Sequence, residues 1–251
     1  MGLEVVSIAD RPELARTLDD FPDCWPEYMA HQRLSELFYA RVVPRHPAFC
    51  HVAVDTASPD RPLAKAYSVP LAWPADPDWP LPPDGHDAVI TQAVDDILSG
   101  ATPTVAAAVE ITVQVRARGR GLSALMLDAM RRNAARHGLP VLLAPVRPTA
   151  THTRPGLPMA EYAGLTRPDG LPLDPWLRVH ARAGGRLETV APLSMTVTGT
   201  CAQWRSWTGV PFDTPGPVAV PDTLAPVTCD PTHDRAVYVE PNVWVRHTLQ
   251  P

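Results

Sequence analysis

The chain has 251 residues, 45% of them hydrophobic and 20% charged, with a formal net charge of −5. That length and apolar content suffice for a substantial core, and the acidic balance argues against nucleic acid as a partner, which a basic stripe would announce. Four scattered cysteines without a CxxC pair, histidines without HxH or HxxxH spacing, no run of ~18 apolar residues and no basic-then-apolar leader argue against a disulfide framework, a metal site, a membrane span and a secretory signal, and predict a cytoplasmic protein. The 22 basic residues are all arginine except Lys65, and there are 31 prolines, a bias of composition that by itself carries no functional meaning.

In chain order, residues 11–43 read as helical in one or two pieces, stopped by Pro44 and Pro47. Residues 49–54 and 63–73 read as strands, the second bent or ended at Pro70. The proline-rich stretch 74–86 reads as a loop, and 88–98 as a short amphipathic helix closed by Gly100. Val105–Val115 is apolar and β-branched, long enough for a central strand. After RARGRG, Leu122, Leu125, Met126, Ala129 and Met130 share one face of a helix that ends at Gly138. Residues 141–146 form another strand, and 173–183 a helix with Asp174 as N-cap and Pro175 at its first position. Strands are predicted at 186–190, 194–200, 236–239 and 243–246, with one helical turn at 203–208. The stretch 149–172 is long for a connection inside a compact domain, which marks it as a lid, a binding loop or a surface wrap.

The strand–RARGRG–helix unit carries the chemistry. A glycine-rich turn at a helix N-terminus aims several backbone amides at one point, and the helix dipole favours an anion there. Gly119 and Gly121 permit close approach, and Arg116, Arg118 and Arg120 add positive charge, so the loop reads as a pyrophosphate cradle. It is not a P-loop, lacking GxxxxGK[ST], nor a Rossmann turn, since Ala124 stands where the third glycine would fall. Neither Ser123 nor Ser194 lies in a GxSxG elbow.

The string Arg116-Ala117-Arg118-Gly119-Arg120-Gly121 resembles motif A of the GNAT superfamily of N-acetyltransferases, R/Q-x-x-G-x-G/A, and the order of elements over residues 1–200 is similar to that family. The resemblance implies an α/β fold, a mixed and largely antiparallel central sheet flanked by helices, with inserts at 74–86 and 149–172. Residues 201–251 would be a β-rich C-terminal extension packed on the same domain or on the partner subunit of a homodimer. It implies acetyl-CoA or another acyl-CoA as donor, held by the backbone of Ile111, Thr112 and Val113 along the pantetheine arm and by Arg116, Arg118, Gly119, Arg120, Gly121, Leu122 and Ser123 at the pyrophosphate. The acceptor would be a small-molecule amine, with neither nucleic acid nor membrane as partner.

Acyl transfer to an amine needs a neutral nucleophile, a stabilised carbonyl oxygen and a proton for the leaving thiolate. Glu110, a carboxylate inside an apolar strand, is the candidate base or water-ordering group; its alternative is an ion pair that holds the fold. The family's later helix often reads Y-x-x-x-G-F, and here His180 stands in the tyrosine's place and Gly185 in the aromatic's. His180 is therefore a candidate acid or an inert helix residue, with Tyr162 as a second candidate acid. Trp73 and Trp79 belong either to the acceptor wall or to the core, whereas Trp204, Trp207 and Trp244 read as core or interface. Two other readings remain open: a GNAT-fold module that holds acyl-CoA without turnover, and a GNAT-fold enzyme acting on carrier-protein thioesters.

Overall fold

A computed structural model describes residues 2–250. Nine strands among them form one sheet in the order β1–β2–β3–β4–β5–β9–β8–β7, with β6 paired to the other edge of β9. They are β1 (Leu3–Ser7), β2 (Cys50–Asp55), β3 (Ala64–Leu71), β4 (Val105–Val113), β5 (Val141–Val146), β6 (Arg186–Gly199), β7 (Gly216–Val218), β8 (Val227–Asp230) and β9 (Arg235–Thr248). Every pairing is antiparallel except β4 with β5. The helices are α1 (Arg33–Leu37), α2 (Gly85–Ser99), α3 (Leu122–Arg136), α4 (Met159–Ala163), α5 (Pro175–Arg182) and α6 (Cys201–Thr208).

Apolar side chains divide by face. Val105, Ala107, Val69, Leu71 and Leu143 meet Val89, Ile90 and Ala93 of α2 on one side. Ala106, Leu142 and Ala144 meet Leu122, Met126, Met130 and Leu177 of α3 and α5 on the other. A third cluster joins Trp204 of α6 to Tyr28, Phe212, Val227 and Tyr238. Trp73 is buried against Trp79 and Trp244, at 5.3 and 6.2 Å between ring centroids, so these tryptophans pack the core.

Several elements differ from the sequence-based expectation. Residues 11–43 hold only 3₁₀ turns, the five-residue α1 and a π turn at Phe38–Val42, because prolines and aspartates interrupt the run. β3 runs through Pro70. The two strands expected near 190 merge into β6, and the two near 240 merge into β9. Pro192 and Pro241 fall where the β6–β9 register skips between Ala191↔Asn242 and Met195↔Glu240, so the prolines mark an irregularity rather than a break. That skip turns Ser194 toward α2, where its hydroxyl accepts from the His86 amide and donates to Asn242. Gly85 fits here because a Cβ would stand 2.3 Å from the Ser194 hydroxyl. β1, α4, β7 and β8 are short elements that the periodicity did not mark.

Asp174 fastens the 149–172 insert. One carboxylate oxygen accepts from the amides of Trp176 and Leu177 and caps α5. The other accepts from the amides of Thr149 and Ala150 and from the Tyr162 hydroxyl, each at 2.9 Å. Replacing Asp174 with Ala leaves five buried or half-buried donors without their acceptor, and should cost about 2–4 kcal/mol. Urea unfolding should show that loss, and limited proteolysis should cut first within 149–172. Wild-type stability together with an uncut insert would contradict this role.

Candidate active site

β4 and β5 pair only at Ala106↔Leu142 and Ala107↔Leu143. Beyond them the two parallel strands separate, and the edge of residues 108–113 that faces β5 has no ladder partner. The opposite edge stays paired to β3, with a register shift between Tyr67↔Glu110 and Ser68↔Ala108. This bulge at Val109 inverts the alternation of faces. Val105, Ala107 and Val109 pack with the α2 side, and Ile111 and Val113 with the α3 side. Glu110 and Thr112 are thereby placed on the α2 side.

At that tip the Glu110 carboxylate accepts from the Tyr39 hydroxyl and the Thr112 hydroxyl, and lies 3.5 Å from the Lys65 ammonium. Lys65 also donates to the Leu18 carbonyl at 3.0 Å. Its ammonium lies 5.0, 5.8 and 5.4 Å from the ring centroids of Phe21, Tyr39 and Tyr67. The Trp25 indole donates to Thr112 at 2.9 Å. Burial first, and the Glu110 charge second, push the phenols of Tyr39 and Tyr67 far above the ordinary tyrosine range, so both stay neutral donors. Tyr39 is 42% exposed as a residue, but its hydroxyl end is turned onto Glu110, and that end is what titrates.

On the α3 side, Val113, Ala117, Arg118, Gly119, Gly121, Leu122 and Ser123 line one cavity of about 300 Å³. Gly119 and Gly121 have φ of +77° and +75°, a left-handed conformation that glycine adopts without strain. A Cβ at either would meet nothing within 4 Å, so the loop presents backbone to open space. Gly121 caps α3, whose first helical bond runs from the Leu125 amide to the Gly121 carbonyl. The amides of Leu122, Ser123 and Ala124 therefore have no carbonyl acceptor within the helix. This cradle fits a pyrophosphate, and the separated β4 edge fits an extended amide-bearing arm.

Of the residues expected at the donor site, Arg118, Gly119, Gly121, Leu122, Ser123 and Val113 come together in this cavity. Arg120 is exposed beside it. The Arg116 guanidinium instead donates to the Pro62 carbonyl at 2.8 Å and ties the loop to the segment before β3. Ile111 and Thr112 lie on the unpaired edge, with the Thr112 side chain on the acid's side of the sheet. Sequence reasoning missed Lys65, Tyr39, Tyr67, Phe21 and Trp25, which reach Glu110 from three separate segments; the lone lysine in an arginine-rich chain was the one available signal.

His180 and Tyr162 stand apart from the Glu110 cluster in their contacts. Tyr162 is buried on Asp174, and burial pushes its phenol up. His180 is 2% exposed, its Nδ1 3.0 Å from Nε2 of the fully buried His247 and its ring against Trp176. His180 packs on β9 because the neighbouring Gly185 leaves no side chain between α5 and His247.

Known protein-family models give no match to the chain. It is 29% identical over 278 aligned residues to the arginine N-acetyltransferase avaD of Aspergillus versicolor, covering 99% of this chain and 94% of that protein. Among solved structures it resembles the loading GNATL domain of CurA from Lyngbya majuscula, with a TM-score of 0.57 and 18% identity over 98% of this chain and 96% of that one. The GphF GNAT-like decarboxylase in complex with isobutyryl-CoA gives 0.55 and 17% over the whole of both chains. The chain therefore has the fold of these GNAT proteins. No helix among the described residues is long and apolar enough to cross a membrane.

Burial lowers three histidines of this chain: His180 to about 3, with His247 adding, and His247 and His51 to about 4, with Arg131 and Arg136 adding respectively. All three are neutral in the fold, whereas an unfolded histidine titrates near about 6.5. Between about pH 6.5 and 4 the unfolded chain binds protons that the fold does not, so stability falls as pH falls through that window and is flat above it. From pH 7 to 5, His51 alone should account for about 2 kcal/mol, with a similar share from the coupled His180–His247 pair. Urea unfolding at the two pH values should show this, with a shallower slope in His51→Leu, whose ring nitrogens have no partner to lose. Equal stability at pH 7 and 5 would contradict it.

Proposed function

We propose that the chain transfers an acyl group from acyl-CoA directly to the amine of a cationic, arginine-like small molecule. The observation that carries this reading is the Glu110 carboxylate, displayed at the unpaired tip of β4 among Tyr39, Tyr67, Phe21 and Trp25. A carboxylate with aromatic faces suits a guanidinium or ammonium group. The avaD relative, named for arginine and aligned over nearly all of this chain, points to the same acceptor class.

Arg118, Gly119, Gly121, Leu122 and Ser123 would hold the pyrophosphate, and the free edge of Ile111–Val113 the pantetheine arm. Bound acyl-CoA supplies the thioester. Glu110 accepts a proton from the incoming ammonium, directly or through a water, while the Tyr39 and Thr112 hydroxyls hold the carboxylate in place. Backbone amides on the free β4 edge stabilise the developing oxyanion. We assign neither His180 nor Tyr162 to proton transfer, since each is buried in a pair of its own. A thiol titrates near about 8.5, so at neutral pH the leaving group takes its proton from solvent.

Thiol release from acetyl-CoA should be fastest with L-arginine within a panel that also holds a decarboxylated guanidino compound, an alkylamine and an arylalkylamine. Glu110→Gln should lower kcat about 100-fold, while calorimetry shows unchanged acyl-CoA affinity. Turnover of other amines but not arginine would remove the acceptor assignment. An unchanged kcat in Glu110→Gln would remove the base.

A further inference from the structure

The Lys65 side chain lies 11% exposed and the Glu110 side chain 9% exposed, on adjacent strands and on the same face of the sheet. A lysine stem normally carries its charge out to water. Here the ammonium is turned inward and held three ways: by the Leu18 carbonyl, by the rings of Phe21, Tyr39 and Tyr67, and by Glu110. The chain's other basic residues are all arginine, so a lysine in this place has a local reason. A compact ammonium fits between three rings and still reaches a backbone carbonyl; a planar guanidinium needs a wider, flatter slot.

We propose that Lys65 is a positioning residue for acyl transfer, whose caged ammonium orients the Glu110 carboxylate and keeps it in the ionised form that takes the acceptor's proton. This rests on the role proposed above for Glu110. The groups that face the carboxylate are Lys65 and Tyr67 from β3, Thr112 from β4 and Tyr39 from the π turn; in the segment before α1, Phe21 covers the Lys65 ammonium and the Asp19 charge acts on the Tyr39 and Tyr67 phenols. Among the described residues Lys65 is the cation in ion-pair contact with it. The Tyr39 phenol and the Thr112 hydroxyl donate hydrogen bonds to it. Without Lys65, a largely buried carboxylate would have no counter-charge, which favours its neutral form.

The test is the pH dependence of kcat with one acceptor throughout, so that the acceptor's own titration is common to all variants. Lys65→Gln removes the charge and keeps a donor for the Leu18 carbonyl, Lys65→Met removes both, and Lys65→Arg restores the charge. In Lys65→Gln and Lys65→Met the acid limb should move up by about one pH unit or more, giving up to about tenfold lower kcat on the acid limb itself and recovery to within about threefold of wild type on the alkaline plateau. Lys65→Arg should return the limb toward its wild-type position. A loss of the same factor at every pH, or a limb left in place by Lys65→Gln, overturns the proposal. Glu110→Gln separates the two readings. If it keeps the acid limb, the limb is not that of Glu110 and the base assignment fails; if it abolishes the limb while Lys65→Gln leaves it unmoved, the Lys65 role alone fails.

Discussion

Beyond Ala107, β4 keeps a partner on one edge only, and the bulge at Val109 adds one residue to that remaining pairing. These two departures from a regular sheet place everything else. The missing β5 ladder leaves backbone amides and carbonyls free along residues 108–113, a liability in an ordinary sheet and a binding edge here. The bulge moves Glu110 and Thr112 to the face of α2, and Ile111 and Val113 to that of α3. In the function proposed above, one strand therefore presents donor-binding backbone along its free edge and an acceptor-side carboxylate on its α2 face. A regular strand with the same sequence would have sent Glu110 into the apolar cluster under α3.

Two carboxylates hold the irregular segments around that tip. Asp174 ties the 149–172 insert to α5. Glu240, fully buried, accepts from Arg147, Tyr238 and Asn242, and so joins the end of β5 to β9 where the register skips. A buried ion pair is a weak source of net stability, because desolvation offsets most of the attraction. Its physical value lies in direction: each oxygen has a fixed partner, so the segments it joins take one position. The segment before α1 is held by hydrogen bonds from Cys24 and Trp25 to β4 and by packing of Tyr28 against Trp204 and Tyr238.

Local sequence made the middle of the fold legible. The β4–RARGRG–α3–β5 unit could be read from an apolar, β-branched run, a 3.6 period and two glycines, and Asp174–Pro175 announced the start of α5. These are signals carried by neighbours in the chain. The partner of Glu110 was not legible, because Lys65, Tyr39 and Phe21 are brought to it by β3, a π turn and an irregular segment, and no spacing links them. The position of His180 was hidden for a similar reason: its partner His247 is 67 residues away, and only the docking of α5 on β9 makes them meet. The predicted short strands merge into β6 and β9 because the chain stays paired past Pro192 and Pro241, which sit opposite each other at the register skip.

The donor cradle and the acid differ in what they demand of the chain. The cradle is backbone, so it tolerates exposed arginines around it and needs only the left-handed turns at Gly119 and Gly121. The acid is a side chain in a half-closed apolar tip, so it needs partners for both oxygens, and the fold supplies them from three directions. Substituting arginine for Lys65 would keep the charge but would need a wider space between the three rings. The retention of lysine at this single position is consistent with a constraint of shape as well as of charge. In the function proposed above, binding the acyl donor rests on one contiguous loop, whereas acting on it depends on segments that meet only when the sheet is complete.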